Sequence, residues 1–461
     1  MASADSRVIL ESSPGNSGGR RRSSIAALAA AIATAVALLF AAPVRLTGQA
    51  SAPAQDWPQW GGPNRNFQVE ARGLAATWPP GGPKQAWKRP LGMGHSSILY
   101  ETVGGAGRLY TMYRNGAREF LIALDAATGK TIWEHGFDAP YPARMQMQYG
   151  DGPHATPLIT GNLICGTGTT ARMHCVERAT GKAAWSHDLW SEFEGSFIGV
   201  GYSSSPIAWR DLIIVQVGGP GASLVAFRRA DGSVAWRAHS FRNSSSSPIL
   251  IRVGRGAEQQ EQLVAYMHQE VIGVNPADGA LLWRHPIRAA GSAWNFHFNI
   301  STPVWTAEAS GEGLLFVSTA YGIGGRALRL RRAGGATDVE ELWSSERTRI
   351  HKETAIRLGD TVYASTGHLG PAFMTAMDVR SGRVLWQDRG FSHANLVWTG
   401  ERFIILDEDG TLALASPGAS GMNVHAKTEL FPSTSWTVPT LVGTRLYARN
   451  RTHIVALELG R

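Results

Sequence analysis

The chain has 461 residues, of which 53 are glycine, 23 proline and 16 tryptophan, and 17% are charged. Frequent turn residues and large aromatic side chains in a weakly charged chain favour an all-β fold over a helical one. The formal charge of +8 does not indicate nucleic-acid binding, because part of it precedes residue 51 and the rest is spread along the chain without a basic face carrying interleaved aromatics.

The N-terminal segment has the order of regions found in secretory signals. Arginines at residues 20–22 precede an apolar run over residues 25–42, and small residues follow up to Ala52. This order predicts export followed by cleavage close to Ala52. A retained membrane anchor stays open as the alternative, because the run is at the lower limit for crossing a bilayer. We therefore assign residues 1–52 to a signal peptide with its flanking segment and expect a periplasmic or secreted protein.

A second segment, residues 53–86, is rich in proline, glycine and tryptophan. It contains the run Trp57-Pro58-Gln59-Trp60-Gly61-Gly62-Pro63-Asn64-Arg65. We expect this segment to be an ordered leader packed on the domain that follows. Residues 87–461 are then predicted to form a single domain.

An eleven-residue phrase recurs five times in that domain, and each copy has a glycine four residues before a tryptophan. The glycines are Gly129, Gly181, Gly232, Gly279 and Gly382. The tryptophans are Trp133, Trp185, Trp236, Trp283 and Trp386. The phrase predicts a β-hairpin whose turn ends on a glycine with positive φ and whose outgoing strand carries the tryptophan. We expect these indoles to pack between adjacent sheets, with the N–H free to bond a neighbour.

Upstream of each hairpin, small residues mark the start of a strand that suits the crowded axis of a ring. These starts lie at residues 96–98, 155–157, 204–206, 246–248, 301–303, 354–356, 394–396 and 437–439. Eight starts predict an eight-bladed β-propeller of four-stranded antiparallel blades. Seven blades stay open as an alternative, because the repeat around Trp343 is irregular. The last sheet lacks an outer strand, so we expect residues 87–91 to pair with the C-terminal strand and close the ring.

The repeat phrase, the tryptophan-rich opening at residues 57–65 and the closing strand together resemble the pyrroloquinoline-quinone-repeat propellers of the quinoprotein alcohol dehydrogenase-like superfamily. The resemblance covers residues 57–459. It implies a β-propeller, but the superfamily includes both dehydrogenases that use calcium and the quinone and a lipoprotein of the outer-membrane assembly machinery. Fold alone therefore does not decide the function.

The sequence departs from both of these groups. It has no adjacent cysteine pair and no match to the dehydrogenases' Glu/Asn/Asp set, and no lipid-attachment cysteine precedes Cys165. We therefore expect a non-catalytic binding or assembly scaffold in the cell envelope, with an envelope protein or a small molecule as partner and no nucleic acid. Membrane contact would come only through an uncleaved N-terminal segment. The alternative is an oxidoreductase that uses pyrroloquinoline quinone and calcium at the channel mouth.

Several polar residues fall just before inner-strand starts and are predicted to approach one mouth of the central channel. They are His95, His154, Asn243, His297, His351 and His393. Imidazoles that converge there can bind an anion, a metal or a cofactor. The alternative is that they satisfy loop carbonyls around a wet channel. No local ligand spacing such as His-x-His is present, so no metal site is predicted.

Cys165 and Cys175 are the two cysteines of the chain, and they flank a predicted turn. In an oxidising compartment they can form a cross-strand disulfide. Two free buried thiols are the alternative. The run Asp407-Glu408-Asp409-Gly410 is interpreted as a polar turn rather than a calcium loop.

Overall fold

The computed structural model describes residues 55–148, 150–287, 298–368 and 370–460. The predicted signal over residues 1–52 and the predicted mouth residue His297 lie outside them. The strands of this part of the chain form eight four-stranded sheets arranged in a ring. This architecture confirms the predicted eight-bladed antiparallel β-propeller. The same described residues contain no helix with the length and hydropathy needed to cross a membrane.

Strand β1 (Lys84–Pro90) comes first in the chain but belongs to the last blade. Blades I and II comprise β2 (Leu99–Val103), β3 (Ala106–Asn115), β4 (Arg118–Asp125), β5 (Thr131–Asp138), β6 (Leu158–Thr160), β7 (Leu163–Thr167), β8 (Arg172–Glu177) and β9 (Ala183–Asp188). Blades III and IV comprise β10 (Ile207–Trp209), β11 (Leu212–Gly219), β12 (Ala222–Arg228), β13 (Val234–Ala238), β14 (Ile249–Val253), β15 (Gln260–Tyr266), β16 (Glu270–Val274) and β17 (Leu281–Pro286).

Blades V and VI comprise β18 (Val304–Ala307), β19 (Gly313–Thr319), β20 (Gly324–Ala333), β21 (Ala336–Ser345), β22 (Ala355–Leu358), β23 (Thr361–Thr366), β24 (Phe373–Asp378) and β25 (Val384–Asp388). Blades VII and VIII comprise β26 (Ala394–Trp398), β27 (Phe403–Asp407), β28 (Thr411–Pro417), β29 (Met422–Glu429), β30 (Thr440–Val442), β31 (Arg445–Arg449) and β32 (His453–Glu458), with β1 outermost. A short α-helix (Leu189–Glu192) follows blade II, and a 3-10 turn (Gly256–Glu258) joins β14 to β15.

The two ends of the ring meet in blade VIII. Strand β1 pairs antiparallel with β32, from Lys84 opposite Glu458 to Pro90 opposite His453. The predicted closure by N- and C-terminal strands is therefore confirmed. Pairing removes the two unpaired strand edges that an open ring would leave at its ends.

The apolar core lies between neighbouring blades rather than at one centre. Between blades II and III, for example, Cys165 and Met173 pack in the same buried cluster as Ile213, Val215 and Phe227. Similar clusters join blades III to IV, IV to V and V to VI. Each sheet is therefore stabilised chiefly by its neighbours, as in other repeat architectures.

The repeat phrase forms the outer contact between blades. Gly181 in the turn of blade II has a φ of 74°, and a Cβ built there would lie 2.6 Å from the indole of Trp133 in blade I. The Trp133 N–H donates to the carbonyl of Arg178 in that same turn (3.1 Å). Five interfaces share this packing: Trp87 on Gly129, Trp133 on Gly181, Trp185 on Gly232, Trp236 on Gly279 and Trp343 on Gly382. Trp283 instead donates to Gln262 of its own blade (2.7 Å).

The small residues at the inner-strand starts form hydrogen bonds around the axis. The Ser97 N–H donates to Thr156 Oγ1 (3.1 Å), the Thr156 N–H to Ser205 Oγ (3.0 Å) and the Ser205 N–H to Ser247 Oγ (3.0 Å). Each bond joins one blade to the next. The short hydroxyl side chains at these positions supply the acceptors that the buried N–H groups require.

Residues 57–69, which we call the axial plug, close one end of the ring. Trp57 exchanges backbone hydrogen bonds with Tyr100 of blade I, and the carbonyl of Pro58 accepts from the N–H of Ile159 in blade II. Further along, the Val69 N–H donates to Trp398 of blade VII (2.9 Å). A short segment that contacts inner strands on all sides must lie across the axis.

Arg65 is the central residue of the axial plug and is 5% exposed. Its Nε donates to the carbonyl of Pro248 (2.6 Å), its Nη2 to that of Ser205 (2.9 Å) and its Nη1 to that of Pro206 (3.1 Å). Trp60 of the axial plug donates its indole N–H to Thr302 of blade V (2.8 Å). These bonds connect the plug to blades III, IV and V.

Candidate functional site

A cavity of about 290 Å³ lies on the axis above the axial plug; we call it the axial cavity. Its described apolar lining comprises Trp60, Val200, Phe298 and Ile300. Its described aromatic and charged lining comprises His95, His154, Tyr321, His351, Lys352, His368, His393, Glu408 and Trp436. Four serines, Ser203, Ser205, Ser245 and Ser247, and Gly370 complete this part of the wall. The apolar residues other than Trp60 lie in the loops before blades III and V, whereas the charged residues lie in blades VI and VII.

Four of the predicted mouth residues line the axial cavity: His95, His154, His351 and His393. Each lies in the loop that leads into an inner strand, where the chain turns toward the axis. The position that the sequence analysis singled out therefore does bring imidazoles together. His297, the fifth predicted histidine, lies outside the described residues.

Asn243, the sixth predicted residue, is not part of this lining. It is buried, and its Oδ1 accepts from the N–H of Ser244 (2.8 Å) while its Nδ2 donates to the carbonyl of Gln216 (3.3 Å). Its side chain supports the loop before β14 rather than facing the cavity. Serines 245 and 247 of the same loop occupy the wall instead.

A compact network of charged groups forms one side of the axial cavity. Lys352 Nζ lies 3.2 Å from Glu353 Oε1 and 3.2 Å from Glu408 Oε2. His393 Nδ1 lies 2.9 Å from Glu353 Oε1. Glu353 also accepts the backbone N–H groups of His351 and Lys352 at 3.1 Å each. The network alternates in sign, which allows buried charges to be retained near a cavity.

The pKa values of this network follow from its contacts. Burial alone would raise the pKa of Glu353, but its hydrogen bond with His393 and the charges of Lys352 and His393 bring that pKa well below its usual range. The same bond to Glu353 raises the pKa of His393, against the opposing effect of burial. The pair is therefore stabilised in its ionised form.

The other imidazoles are held neutral. Burial lowers the pKa of His154 and of His351 to about 4. Burial also lowers the pKa of His95 well below its usual range, and the nearby charges of Arg451, Arg449 and Lys352 lower it further. His351 Nε2 lies 2.6 Å from the hydroxyl of Tyr321. Neutral imidazoles can donate at one ring nitrogen and accept at the other.

Trp436 joins the histidines to the charged network. Its ring stacks on His95 with centroids 5.0 Å apart, and its N–H donates to Glu408 Oε2 (3.0 Å). Lys352 Nζ and the guanidinium of Arg451 lie 4.8 and 4.9 Å from the Trp436 ring centroid. Two cations on one indole produce a positive region beside an aromatic surface.

Two more arginines are buried close to the axis. Arg449 is 0% exposed, and its guanidinium donates to the carbonyls of Ser96 (3.2 Å), Met112 (2.8 Å) and Gly94 (2.9 Å). Burial lowers the pKa of Arg449 and of Arg65 to about 9, which leaves both charged at neutral pH. Carbonyl dipoles rather than carboxylates stabilise these two charges.

Sequence reasoning missed Lys352, Glu408 and Trp436. A signal for two of them was present, because Lys352 directly follows His351 and Trp436 directly precedes the strand start at Thr437. Glu408 belongs to the run interpreted as a polar turn, and it lies in the turn between β27 and β28. Its approach to Lys352 joins residues 56 positions apart, which no local pattern reveals.

Cys165 and Cys175 face each other across β7 and β8, and a disulfide links them with Cα atoms 4.0 Å apart. Both are fully buried in the cluster between blades II and III. They do not line the axial cavity. The disulfide therefore belongs to the blade rather than to the candidate site.

The described residues do not fit the calcium-bound quinone that the family resemblance implies. Ca²⁺ takes six to eight oxygen ligands, several from carboxylates. Within residues 55–148, 150–287, 298–368 and 370–460, no group of three or more His, Cys, Asp or Glu side chains could hold a metal ion. Near the axial cavity, the Glu353 and Glu408 carboxylates are engaged by Lys352, His393 and Trp436.

Comparison with known proteins places these features in a family. The family model described as "Outer membrane protein assembly factor BamB" matches residues 117–387. BamB of Yersinia pestis is 23% identical over 301 residues, which is 60% of this chain and 67% of that protein. The BamB structure from Moraxella catarrhalis is 14% identical with a TM-score of 0.54, covering 81% of this chain and 99% of that one.

A quinohemoprotein alcohol dehydrogenase from Comamonas testosteroni is also similar in structure, with 13% identity, a TM-score of 0.63 and coverage of 89% of this chain and 81% of that one. At such identities the two solved structures show the fold alone. The family model, by contrast, matches more than half of the chain, from β4 in blade I to β25 in blade VI. The chain therefore belongs to the PQQ-like propeller family described as outer membrane protein assembly factor BamB.

Proposed function

We propose that this protein is an exported, non-catalytic scaffold that binds another protein of the cell envelope. The observation that carries the proposal is the match of the BamB family model to residues 117–387. The proposal includes the removal of residues 1–52 as a signal and a periplasmic or secreted location. The partner is a protein rather than a nucleic acid, since the positive charge forms no basic face.

The construction of the ring supports a scaffold role. The closure of β1 on β32, the axial plug and the repeated tryptophan contacts tie all blades together. A rigid closed ring presents a large preformed surface and loses little conformational entropy when it binds. Its outermost strands also expose apolar side chains, namely Ile132, Val234, Leu281, Leu385 and Val424.

The alternative is a quinone-dependent oxidoreductase with its site at the channel mouth. Its support is the similarity in fold to a quinohemoprotein dehydrogenase and the presence of the axial cavity. The donor set around that cavity does not suit calcium, as described above. The scaffold is therefore the function that the chain supports better.

Site-specific photocrosslinking in intact cells tests the scaffold directly. A photoreactive amino acid is placed in turn at Ile132, Val234, Leu281, Leu385 and Val424, which lie on the outer strands of five different blades. We expect ultraviolet-dependent adducts with one envelope protein from adjacent blades only. The positions on the opposite side of the ring serve as the matched control. Their side chains are exposed to a similar degree, but they are not expected to contact the partner protein.

Two outcomes would contradict the proposal. One is a properly exported chain that gives no specific adduct from any of the five positions. The other is dye-linked alcohol oxidation after incubation of the purified protein with pyrroloquinoline quinone and calcium. Export itself is tested separately, by fractionation and by N-terminal sequencing of the mature chain, which we expect to begin close to Ala52.

A further inference from the structure

Histidines follow the repeat tryptophan in four consecutive blades and lie at the contact with the next blade. They are His135, His187, His239 and His285. Three of these imidazoles place Nε2 at 2.7–2.8 Å from an oxygen atom of the next blade: His187 on Gly232, His239 on Gly279 and His285 on Glu341. At these distances a normal hydrogen bond holds the ring proton on that nitrogen.

His135 differs, because its imidazole faces a second imidazole across the contact between blades I and II. Its Nε2 lies 3.3 Å from Nδ1 of His174 on β8, and the two ring centroids are 5.3 Å apart. A hydrogen bond from an N–H group is most often about 2.9–3.0 Å long, so this contact is long for one. Two nitrogen ligands with bonds of about 2.0–2.1 Å to a tetrahedral ion are about 3.3–3.4 Å apart. The spacing of the two imidazoles therefore matches that of two ligands on one metal ion.

Both imidazoles are neutral at physiological pH, as metal binding requires. Burial, together with the nearby His135 and Arg172, lowers the pKa of His174 to about 4. Burial also lowers the pKa of His135, and the charge of Arg118 acts in the same direction. A hydrogen bond to the Gly181 carbonyl opposes this effect, but a neutral imidazole can carry its proton on either nitrogen. Each ring therefore has a lone pair to offer.

The surroundings orient the pair and leave it accessible. The His174 ring stacks on that of Phe137 with centroids 4.0 Å apart, which restricts its rotation. Both histidines are partly exposed, so an ion can reach them from solvent. Each of the two nearby cations is paired with a carboxylate, namely Arg118 with Asp138 at 3.2 Å and Arg172 with Asp188 at 3.7 Å. These pairs offset the positive charge beside the rings.

From these features we propose that His135 and His174 bind one divalent transition-metal ion at the contact between blades I and II. The protein ligands are Nε2 of His135 and Nδ1 of His174. Since the described residues contain no group of three or more metal-binding side chains, water molecules complete the coordination. Imidazole ligands suit Cu²⁺, Ni²⁺ and Zn²⁺ rather than Mg²⁺ or Ca²⁺. The ion joins residues 39 positions apart and so ties one blade to the next. This site goes beyond the scaffold function and does not depend on it, because it needs no partner protein.

Isothermal titration of the purified mature protein, prepared without an affinity tag, tests the proposal. The probes are Ni²⁺, Co²⁺ and Mg²⁺ at neutral pH. We expect one Ni²⁺ ion per chain, weaker binding of Co²⁺ and no measurable binding of Mg²⁺, which prefers oxygen ligands. Ni²⁺ should also raise the melting temperature, because an ion that binds the folded state in preference to the unfolded one stabilises it.

Variants locate the ion within the molecule. His135→Gln and His174→Gln each remove one ligand, and each is expected to weaken Ni²⁺ binding at least about tenfold. The matched control is His425→Gln, the same change at an exposed histidine of blade VII, which leaves the affinity unchanged. His351→Gln tests the alternative that Ni²⁺ binds in the axial cavity, where the rings of His351 and His368 are 5.4 Å apart.

Electron paramagnetic resonance of the Cu²⁺ complex gives a second measurement that needs no variant. We expect superhyperfine coupling from two imidazole nitrogens in the unaltered protein. This measurement keeps the test informative if either histidine variant folds poorly. A Cu²⁺ spectrum without nitrogen coupling would contradict the proposal.

Three titration results would also overturn it. The first is absence of binding at millimolar Ni²⁺, which would mean that the two imidazoles form only a long hydrogen bond. The second is a Ni²⁺ affinity that neither His135→Gln nor His174→Gln lowers. The third is loss of Ni²⁺ binding in His351→Gln alone, which would place the ion in the axial cavity. Each leaves the crosslinking result untouched, so failure of this site and failure of the scaffold function are distinguishable.

Discussion

The two ends of the central channel are built in opposite ways. At the plug end, Arg65 places all three of its guanidinium nitrogens on acceptors, and backbone bonds of the axial plug join it to inner strands around the ring. At the histidine end, His95 and His154 keep buried ring nitrogens without partners among the described residues. Satisfied polar groups stabilise a structure, whereas unpaired ones cost free energy unless a ligand meets them. The first end is therefore built for stability, and the second retains capacity for binding.

The largest effect should come from the plug end. Replacing Arg65 by Met leaves the buried carbonyls of Ser205, Pro206 and Pro248 without their donors. We expect the free energy of unfolding to fall by about 3 kcal/mol or more, measured by urea denaturation. Arg72→Met, an exposed arginine of the leader, is the control and should cost less than about 0.5 kcal/mol. A similar, small loss of unfolding free energy in both variants would contradict the conclusion that the plug end is built for stability.

An intermediate effect is expected at the outer contact between blades, away from both ends of the channel. Gly181→Ala combines a positive φ with a Cβ 2.6 Å from Trp133, and should cost about 2 to 3 kcal/mol. Gly335 also has a positive φ of 82°, but a Cβ there meets nothing within 4 Å. The matched variant Gly335→Ala should therefore lose only about 1 kcal/mol. Equal melting temperatures for the two variants would show that the tryptophan contact adds nothing.

The charged network at the histidine end should give a smaller, pH-dependent effect. The raised pKa of His393 stabilises the fold below its unfolded value and loses that contribution as pH rises through the folded value. The lowered pKa of Glu353 stabilises the fold above its unfolded value and loses that contribution as pH falls. We expect Glu353→Gln to destabilise by about 1 to 3 kcal/mol at pH 6 and by less at pH 9. Denaturation curves at both pH values measure this difference, and a larger loss at pH 9 would contradict the assignment.

The smallest effect should follow from removing an unpaired imidazole. His154→Gln replaces a partly exposed residue whose buried Nε2 has no partner within the described part of the chain. We expect a change in unfolding free energy of less than about 1 kcal/mol, since little is lost when an unsatisfied group is exchanged. Differential scanning calorimetry of His154→Gln and Arg65→Met under the same conditions compares the two ends of the channel directly. A loss as large as that of the arginine variant would mean that His154 is structural.

How much the sequence predicts depends on whether a residue repeats. The small-residue strand starts recur eight times along the chain, and so the blade count and the closing strand were predictable. His95, His154, His351 and His393 share one register, which placed them at the axis. Arg65 and Glu408 occur once each, and their partners lie at distant positions such as Pro248 and Lys352. Contacts of this kind depend on how the ring closes, which no local pattern contains.

The closure of blade VIII also constrains the order in which the molecule can assemble. Strand β1 is the first of the described strands in chain order and its partner β32 is the last, so Lys84 must wait for Glu458. Contacts of such long sequence separation are slow to form. Until β32 emerges, β1 has no hydrogen-bonding neighbour and the axial plug lacks the inner strands of the later blades. We expect the chain to remain protease-sensitive until β32 is available to pair with β1, and then to become resistant in one cooperative step.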